Sequence, residues 1–202
     1  FIMKYLEVVR ELESRGVMPG RPPGLETTRI ALEHIGVLSI ASSSTSTNST
    51  SIRSETTSAM GAHFSSSQVV LVAGTNGKGS VCATLEALCL SAGERVGLYT
   101  SPHLIETTER FRICGQDVSQ DLFCKSYEAV NAVTKDLNLS HFEMLTAMAM
   151  WVFSRKELRL NRIILEVGLG GLWDSTNAVP HQTAVICRLG LDHENLLGSG
   201  IV

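Results

Sequence analysis

The stretch Val69–Ser80, VVLVAGTNGKGS, restricts the fold of this chain more than any other part of the sequence. An apolar run, Val69–Ala73, is followed by three glycines around a lysine, and then by a segment with apolar residues at helical spacing. The order of strand, glycine loop and helix predicts a phosphate-binding loop. Glycines let backbone N–H groups turn toward an anion, and the helix N-terminus adds its positive end.

The loop also contains side chains suited to a nucleotide. Lys78 would supply a point charge, and the Ser80 hydroxyl would be available to a magnesium ion. The spacing departs from G-x-x-x-x-G-K-[ST], because Val72 replaces the first glycine and Gly79 separates Lys78 from Ser80. A simple turn therefore remains the alternative. The residues predicted to bind the nucleotide are Gly74, Thr75, Asn76, Gly77, Lys78, Gly79 and Ser80.

Bulk composition sets limits on fold class and partners. With 202 residues, of which 44% are hydrophobic and 18% charged, the chain is long enough for one globular domain with appendages. Its net charge of -3 gives no reason to expect nucleic acid or an acidic membrane surface as a partner. Five cysteines without a C-x-x-C pair favour a reducing compartment. We expect a monomer in the cytoplasm, with the mitochondrion as the alternative.

Three segments differ in composition. Residues 1–40 contain two amphipathic helical patterns, Ile2–Leu12 and one that starts near Leu25. Residues 41–67 are rich in Ser and Thr, so this segment buries too little apolar surface to offset its ordering entropy, and we expect a disordered insertion. Residues 68–202 are expected to form an ATP-binding α/β domain.

The sequence predicts a mostly parallel sheet with helices on both faces. Apolar strands separated by helical segments, without polar alternation, are typical of such a sheet. Helices are expected from the Ser119 cap through Leu137 and over His141–Lys156, with a short strand within Glu109–Ile113. The four predicted buried strands are Val69–Ala73, Arg95–Ser101, Arg162–Val167 and Thr183–Leu189.

Polar residues stand where these strands end. Ser101 closes the second strand, Glu166 lies near the end of the third, and His193 follows the fourth. The carboxyl ends of parallel strands share one edge, where ligands bind, and an acidic residue near a phosphate loop suits a magnesium ion. Each residue also has a structural alternative: a turn at Ser101, an ion-paired rim residue at Glu166 and a structural histidine at His193.

Seven ordered motifs resemble those of folylpolyglutamate synthases and dihydrofolate synthases, which belong to the ATP-dependent Mur ligase superfamily. The resemblance covers Val69–Gly198 and, more weakly, Met3–Gly36. It implies a P-loop-containing, Mur-ligase-like central domain. The motifs are AGTNGKGS (Ala73–Ser80), TSPHL (Thr100–Leu104), ERFRI (Glu109–Ile113), Phe142-Glu143, EVGLGG (Glu166–Gly171), DSTN (Asp174–Asn177) and DHENLLG (Asp192–Gly198).

The resemblance implies roles for individual residues. ATP and Mg²⁺ would be the ligands of the site, with Ser101, Glu166 and His193 binding the metal. Lys78, Glu166 and His193 would be the catalytic residues. The pterin pocket would be lined by Phe142, Glu143, Trp173, Asp174 and Ser175.

The family also implies a reaction, in which ATP phosphorylates a carboxylate and glutamate displaces the phosphate to form an amide. The Phe142-Glu143 segment favours first addition to dihydropteroate over extension of a polyglutamate tail. A peptidoglycan Mur ligase is disfavoured by TSPHL and EVGLGG, and a non-catalytic nucleotide-binding module is the alternative from another class. The family's carbamylated lysine and glutamate-binding domain are expected beyond Val202, so the chain alone should be inactive.

Overall fold

The computed structural model describes residues 2–16, 25–38 and 68–193. The Ser/Thr-rich segment 41–67 lies outside these ranges, as does the part of DHENLLG that follows His193. None of the helices in the described ranges is long and apolar enough to cross a lipid bilayer.

Five α-helices are formed in the described ranges, close to the positions predicted. Ser119 caps the fourth helix by accepting a hydrogen bond from Leu122 N at 3.2 Å, and Ser140 and Glu143 form a reciprocal capping box on the fifth. The fourth helix ends before Leu137 because its last residues form a 3₁₀ turn, Lys135–Leu137, and the fifth ends at Phe153, before the predicted Lys156. The helices are α1 Ile2–Ser14, α2 Glu26–His34, α3 Lys78–Ser91, α4 Gln120–Thr134 and α5 His141–Phe153.

Six strands form one sheet, in the order β4-β3-β2-β5-β1-β6. The strands β2, β5, β1 and β6 are parallel, whereas β3 and β4 form an antiparallel hairpin at one edge. The mostly parallel α/β fold predicted from the sequence is therefore confirmed. The strands are β1 Gln68–Ala73, β2 Val96–Tyr99, β3 Phe111–Ile113, β4 Gln116–Asp117, β5 Arg162–Glu166 and β6 Thr183–Ile186.

Strand β1 shows how the sheet separates two apolar cores. Val69 and Leu71 pack with the residues of α1, α2, α4 and α5, whereas Val70 and Val72 belong to the core on the α3 side. Because side chains alternate along a strand, a fully apolar run supplies both cores at once. Helices therefore cover both faces of the sheet, as predicted.

The described parts of the N-terminal segment pack into the larger of these cores. Leu12 and Leu32 are fully buried against α4 and α5. The Arg15 guanidinium donates hydrogen bonds to Asn131 Oδ1 at 3.1 Å and to the Leu139 carbonyl at 3.3 Å. Helices α1 and α2 thus share a core with the sheet.

The prediction of a fourth buried strand over Thr183–Leu189 is wrong in its burial and its length. Strand β6 ends at Ile186, which is 68% exposed, and β6 pairs only with β1 within residues 68–193. An edge strand has one neighbour instead of two, and an apolar composition alone does not distinguish an edge from a central position.

Candidate active site

The predicted phosphate loop connects β1 to α3 and has the backbone that its glycines permit. Gly74 and Gly77 adopt φ values of +129° and +92°, which are rarely accessible to other residues. At the start of α3, Val81 N donates a helical hydrogen bond to the Gly77 carbonyl at 3.0 Å. The N–H groups of Lys78, Gly79 and Ser80 lie in the first turn, where a helix has no acceptor for them, and are available to an anion.

Thr75 and Asn76 anchor the loop to the chain that follows β6. Their backbone N–H groups donate to the Arg188 carbonyl at 3.0 and 3.3 Å. The Thr75 hydroxyl donates to the Gly190 carbonyl at 3.1 Å and accepts from Gly190 N at 3.0 Å. These two amides are engaged in the structure, so the first turn of α3 supplies the anion-facing N–H groups.

Lys78 folds back over the loop. Its Nζ donates hydrogen bonds to the carbonyls of Gly74 at 2.8 Å and Thr75 at 3.4 Å. Both acceptors are neutral, so a phosphate oxygen would be a stronger partner for the ammonium group. The lysine is therefore positioned to exchange these contacts for a bound polyphosphate.

Glu166 lies at the end of β5, beside the phosphate loop. It is only 4% exposed, and its Oε2 accepts a hydrogen bond from Ser101 N at 3.0 Å. A Cβ atom placed on Gly79 would lie 3.7 Å from Glu166 Oε1. Burial raises the pKa of Glu166, while the Ser101 hydrogen bond and the charges of Lys78 and Arg110 oppose that shift. A buried carboxylate in this position is suited to a bound cation.

The structure brings together two of the three predicted metal ligands. The backbone N–H of Ser101 donates to Glu166 at the sheet edge, and the Glu166 carboxylate is of the kind that magnesium uses in nucleotide sites, together with substrate phosphates. The His193 side chain is 56% exposed beside Asp192, and residues 68–193 show no contact between it and Glu166. No group of three His, Cys, Asp or Glu in the described ranges is arranged to hold a metal ion.

Phe142 and Trp173 are the aromatic members of the predicted pterin pocket. Phe142 lies against Gly168, where a Cβ atom would approach its Cζ to 2.5 Å, and its ring centroid is 5.7 Å from that of Tyr99. Trp173 is 56% exposed. Both rings are thus accessible to a planar ligand, Phe142 in part and Trp173 over most of its surface.

The polar residues predicted for this pocket are buried and hydrogen-bonded. Glu143 Oε2 accepts from Ser140 N at 2.9 Å in the capping box of α5. Asp174 Oδ2 accepts from Gly168 N and Leu169 N at 3.0 and 2.9 Å. The Ser175 hydroxyl contacts the Thr146 hydroxyl at 2.6 Å. These three side chains hold the shape of the loop and helix behind the pocket.

The sequence reasoning did not single out Arg110, which the structure places at the site. The residue is 8% exposed, its Nε donates to His103 Nδ1 at 2.9 Å, and its charge opposes the rise in the pKa of Glu166 that burial causes. The available signal in the sequence was the arginine of the ERFRI motif, which follows Thr107-Thr108 and precedes the apolar start of a predicted strand.

Comparison with known proteins gives matches in sequence and in fold. No protein-family model matches the chain. It is 45% identical over 130 residues to the Escherichia coli (strain K12) dihydrofolate synthase/folylpolyglutamate synthase, covering 64% of this chain and 30% of that protein. It is 40% identical over 144 residues to an Arabidopsis thaliana folylpolyglutamate synthase, covering 65% of this chain and 22% of that protein.

Solved structures agree with these relatives. E. coli FolC in complex with DHPP and ADP matches with a TM-score of 0.75 and 34% identity, over 96% of this chain and 41% of that one. The Yersinia pestis bifunctional enzyme complexed with AMPPNP and Mn matches with a TM-score of 0.71 and 36% identity, over 90% and 38%. Mycobacterium tuberculosis folylpolyglutamate synthase complexed with ADP matches with 0.77 and 28%, over 98% and 39%.

The matched relatives are much longer than this chain, which spans about 30% of the E. coli sequence and 41% of the E. coli structure. Sequence identity and fold nevertheless agree on the same relatives. Over the part of its length that they match, the chain is similar in both sequence and fold to dihydrofolate synthases/folylpolyglutamate synthases.

Proposed function

We propose that this chain forms the ATP and magnesium site of a ligase that joins L-glutamate to dihydropteroate, to (tetrahydro)folate, or to both. The observation that supports it best is the hydrogen bond between Ser101 N and Glu166 beside the first turn of α3. It puts a buried carboxylate next to a glycine loop with free N–H groups. The relatives complexed with ADP, or with AMPPNP and Mn, add independent support.

The proposed reaction has two steps. An oxygen of the acceptor carboxylate attacks the γ-phosphorus of ATP, so that a C–O–P linkage forms and the bond to the β-phosphate oxygen breaks, releasing ADP. The deprotonated amino group of glutamate then attacks the acyl carbon. A C–N bond forms, the C–O bond to phosphate breaks, and phosphate leaves. Both steps depend chiefly on positioning and on neutralisation of charge.

Different residues of this chain would bind the phosphates and the metal ion. Lys78 and the N–H groups of Gly79 and Ser80 would bind the terminal phosphates and stabilise the charge that shifts between them. Glu166 and Ser101 would hold the magnesium ion, with His193 proposed as a third ligand on the basis of the family pattern. When bound, the metal neutralises phosphate charge.

On the acceptor side, Phe142 and Trp173 would contact the pterin ring. Glu143, Asp174 and Ser175 would support the pocket from behind through the hydrogen bonds described above. We propose dihydropteroate as the first acceptor, because Phe142-Glu143 matches the segment of dihydrofolate-forming enzymes. Extension of a polyglutamate tail is the second activity.

Amide formation tests this proposal. The chain completed with the family's C-terminal domain is incubated with dihydropteroate, L-glutamate, ATP and Mg²⁺. We expect one ADP for each dihydrofolate formed, and no product from the Lys78→Ala variant. Nucleotide binding without amide formation would favour the non-catalytic module. Absence of nucleotide binding in the chain itself would overturn the proposed site.

We further propose that the protein acts on small molecules, as a monomer, in the cytoplasm. A net charge of -3 gives no reason to expect nucleic acid as a partner, and five free cysteines fit a reducing compartment. Light scattering coupled to size exclusion tests the monomer, and a mass of twice 21.9 kDa would contradict it.

A further inference from the structure

Arg188 is fixed beside the phosphate loop through its backbone. Its carbonyl accepts hydrogen bonds from Thr75 N at 3.0 Å and from Asn76 N at 3.3 Å, and Arg188 pairs with Asn76 as an isolated antiparallel bridge. Two residues further along the chain, the backbone of Gly190 exchanges two hydrogen bonds with the Thr75 hydroxyl. The backbone of Arg188 is therefore held at the phosphate loop, and its side chain begins at the rim of the site.

The Arg188 side chain is exposed and is not used to hold the fold. The preceding residue, Cys187, packs against the core on the α3 side, whereas Arg188 is open to solvent. No hydrogen bond or ion pair joins the Arg188 guanidinium to another residue that the structure describes. By contrast, Arg15, Arg95 and Arg162 each donate to a partner within the fold. The N–H donors of Arg188 are thus available to a ligand.

The charges around the phosphate loop favour a further cation. Lys78 is the only basic residue in the loop Gly74–Ser80, and the Glu166 carboxylate beside the loop carries the opposite charge. A magnesium nucleotide remains anionic, because one divalent ion does not neutralise all the charge of a di- or triphosphate. A guanidinium at the rim would stabilise the bound nucleotide by offsetting part of that charge.

The order of the strands indicates which part of the nucleotide Arg188 would face. Strand β1, which leads into the phosphate loop, lies between β5 and β6. Glu166 ends β5 on one side of β1, and Arg188 follows β6 on the other side. A magnesium ion at Glu166 would bridge the terminal phosphates, as it does in other nucleotide sites. The opposite side of the loop, where Arg188 lies, is then left for the phosphates that lead to the nucleoside.

We propose that the Arg188 guanidinium binds the α- and β-phosphates, which ADP and ATP share, on the side of the loop opposite the metal ion. This assignment rests on the proposed function and adds a nucleotide-binding residue to it. The planar guanidinium matches two phosphate oxygens, whereas Lys78 supplies a point charge. Arg188 makes and breaks no bond; it would hold the part of ATP that becomes ADP while the terminal phosphate is transferred.

Calorimetric titration of the chain with Mg·ADP and Mg·ATP, at low and at high salt, tests the assignment. We expect Arg188→Gln to bind both nucleotides about 5- to 10-fold more weakly, since the contact is exposed and ordering a long side chain offsets part of its strength. The loss should be equal for ADP and ATP and should shrink as salt is raised. Arg188→Lys should retain part of the affinity. Arg159→Gln is the matched control, because Arg159 is also exposed but precedes β5 at the opposite edge of the sheet.

The other outcomes contradict the assignment in distinguishable ways. Undiminished ADP affinity in Arg188→Gln, or an equal loss in Arg159→Gln, would overturn the role of Arg188 and leave the proposed ligase function intact. A loss for ATP without a loss for ADP would place Arg188 at the terminal phosphate instead. A loss that salt does not change would indicate contact with the base or the ribose and would also overturn the assignment. Failure of the parent chain to bind either nucleotide would count against the proposed function itself. Circular dichroism shows whether each variant is folded.

Discussion

At the scale of single residues, Lys78 is held by interactions that ligand binding would replace. Its Nζ contacts two carbonyls of its own loop, at 2.8 and 3.4 Å. Lys78→Ala should reduce the affinity for ATP about 10- to 100-fold, because a charged hydrogen bond to phosphate contributes about 1.5–3 kcal/mol. Calorimetric titration of the chain with Mg·ATP measures the loss.

Lys125→Ala provides the control for that experiment. Lys125 is exposed on α4 and, among the residues that the structure describes, pairs with Asp121 at 2.6 Å, so its removal should leave ATP affinity unchanged. Equal affinity of parent and Lys78→Ala would remove the lysine from the nucleotide site.

The geometry supports Glu166 as a metal ligand, whereas only the family pattern supports His193. In the completed enzyme, Glu166→Gln should remain folded, lose turnover and require more magnesium, since an amide is a weaker ligand for a hard cation. His193→Ala should show the same effect more weakly. A magnesium titration of ATP turnover measures both, with circular dichroism as the test of folding. Unchanged magnesium dependence in Glu166→Gln would make Glu166 a rim residue.

The sequence predicted only part of the arrangement at this candidate site. Glu166 and Ser101 were predictable, because parallel strands end at the same edge and both residues follow apolar runs. The internal hydrogen bonds of Glu143 and Asp174 were not predictable, since a motif identifies a residue type but not whether its oxygens accept hydrogen bonds within the protein. Arg110 was missed because its burial near Glu166 is a property of the folded chain.

At the scale of elements, the phosphate loop has two glycines with different requirements. A Cβ atom on Gly74 would lie 2.8 Å from the Cys187 Cβ, at a φ of +129°, whereas on Gly79 its nearest neighbour would be 3.7 Å away. Gly74→Ala should lower the free energy of unfolding by about 1–3 kcal/mol, and Gly79→Ala should leave it nearly unchanged. Urea denaturation of both variants measures the difference, and equal effects would show that the loop adapts without strain.

Strands and helices were easier to predict from the sequence than the neighbours against which they pack. The apolar run of β1 and the helical period of α3 were sufficient to predict this strand and this helix, since both patterns are local in the sequence. The edge position of β6 was not evident, because Thr183–Leu189 is as apolar as a central strand. Which side of a strand is covered depends on residues distant in sequence.

At the scale of the whole molecule, the N-terminal helices and the sheet share one core. The sequence indicated two amphipathic helices before a compositional break, but it gave no sign of the surface against which they pack. In the structure, the Tyr5 ring lies 5.9 Å from that of Phe123 on α4, in an edge-on arrangement, and Leu12 is fully buried. This long-range packing ties α1 to the half of the domain that contains Phe142.

Leu12→Ala tests that arrangement. Removing a fully buried leucine side chain should lower the free energy of unfolding by about 2–5 kcal/mol, through lost burial and the cavity that remains. Leu6→Ala, on the same helix but 40% exposed, should cost much less. Urea denaturation followed by circular dichroism and by the fluorescence of Trp151 and Trp173 should give a single transition for each variant, because α1 and α5 unfold together. A second transition, or equal costs for both substitutions, would show that α1 is not integrated into the core.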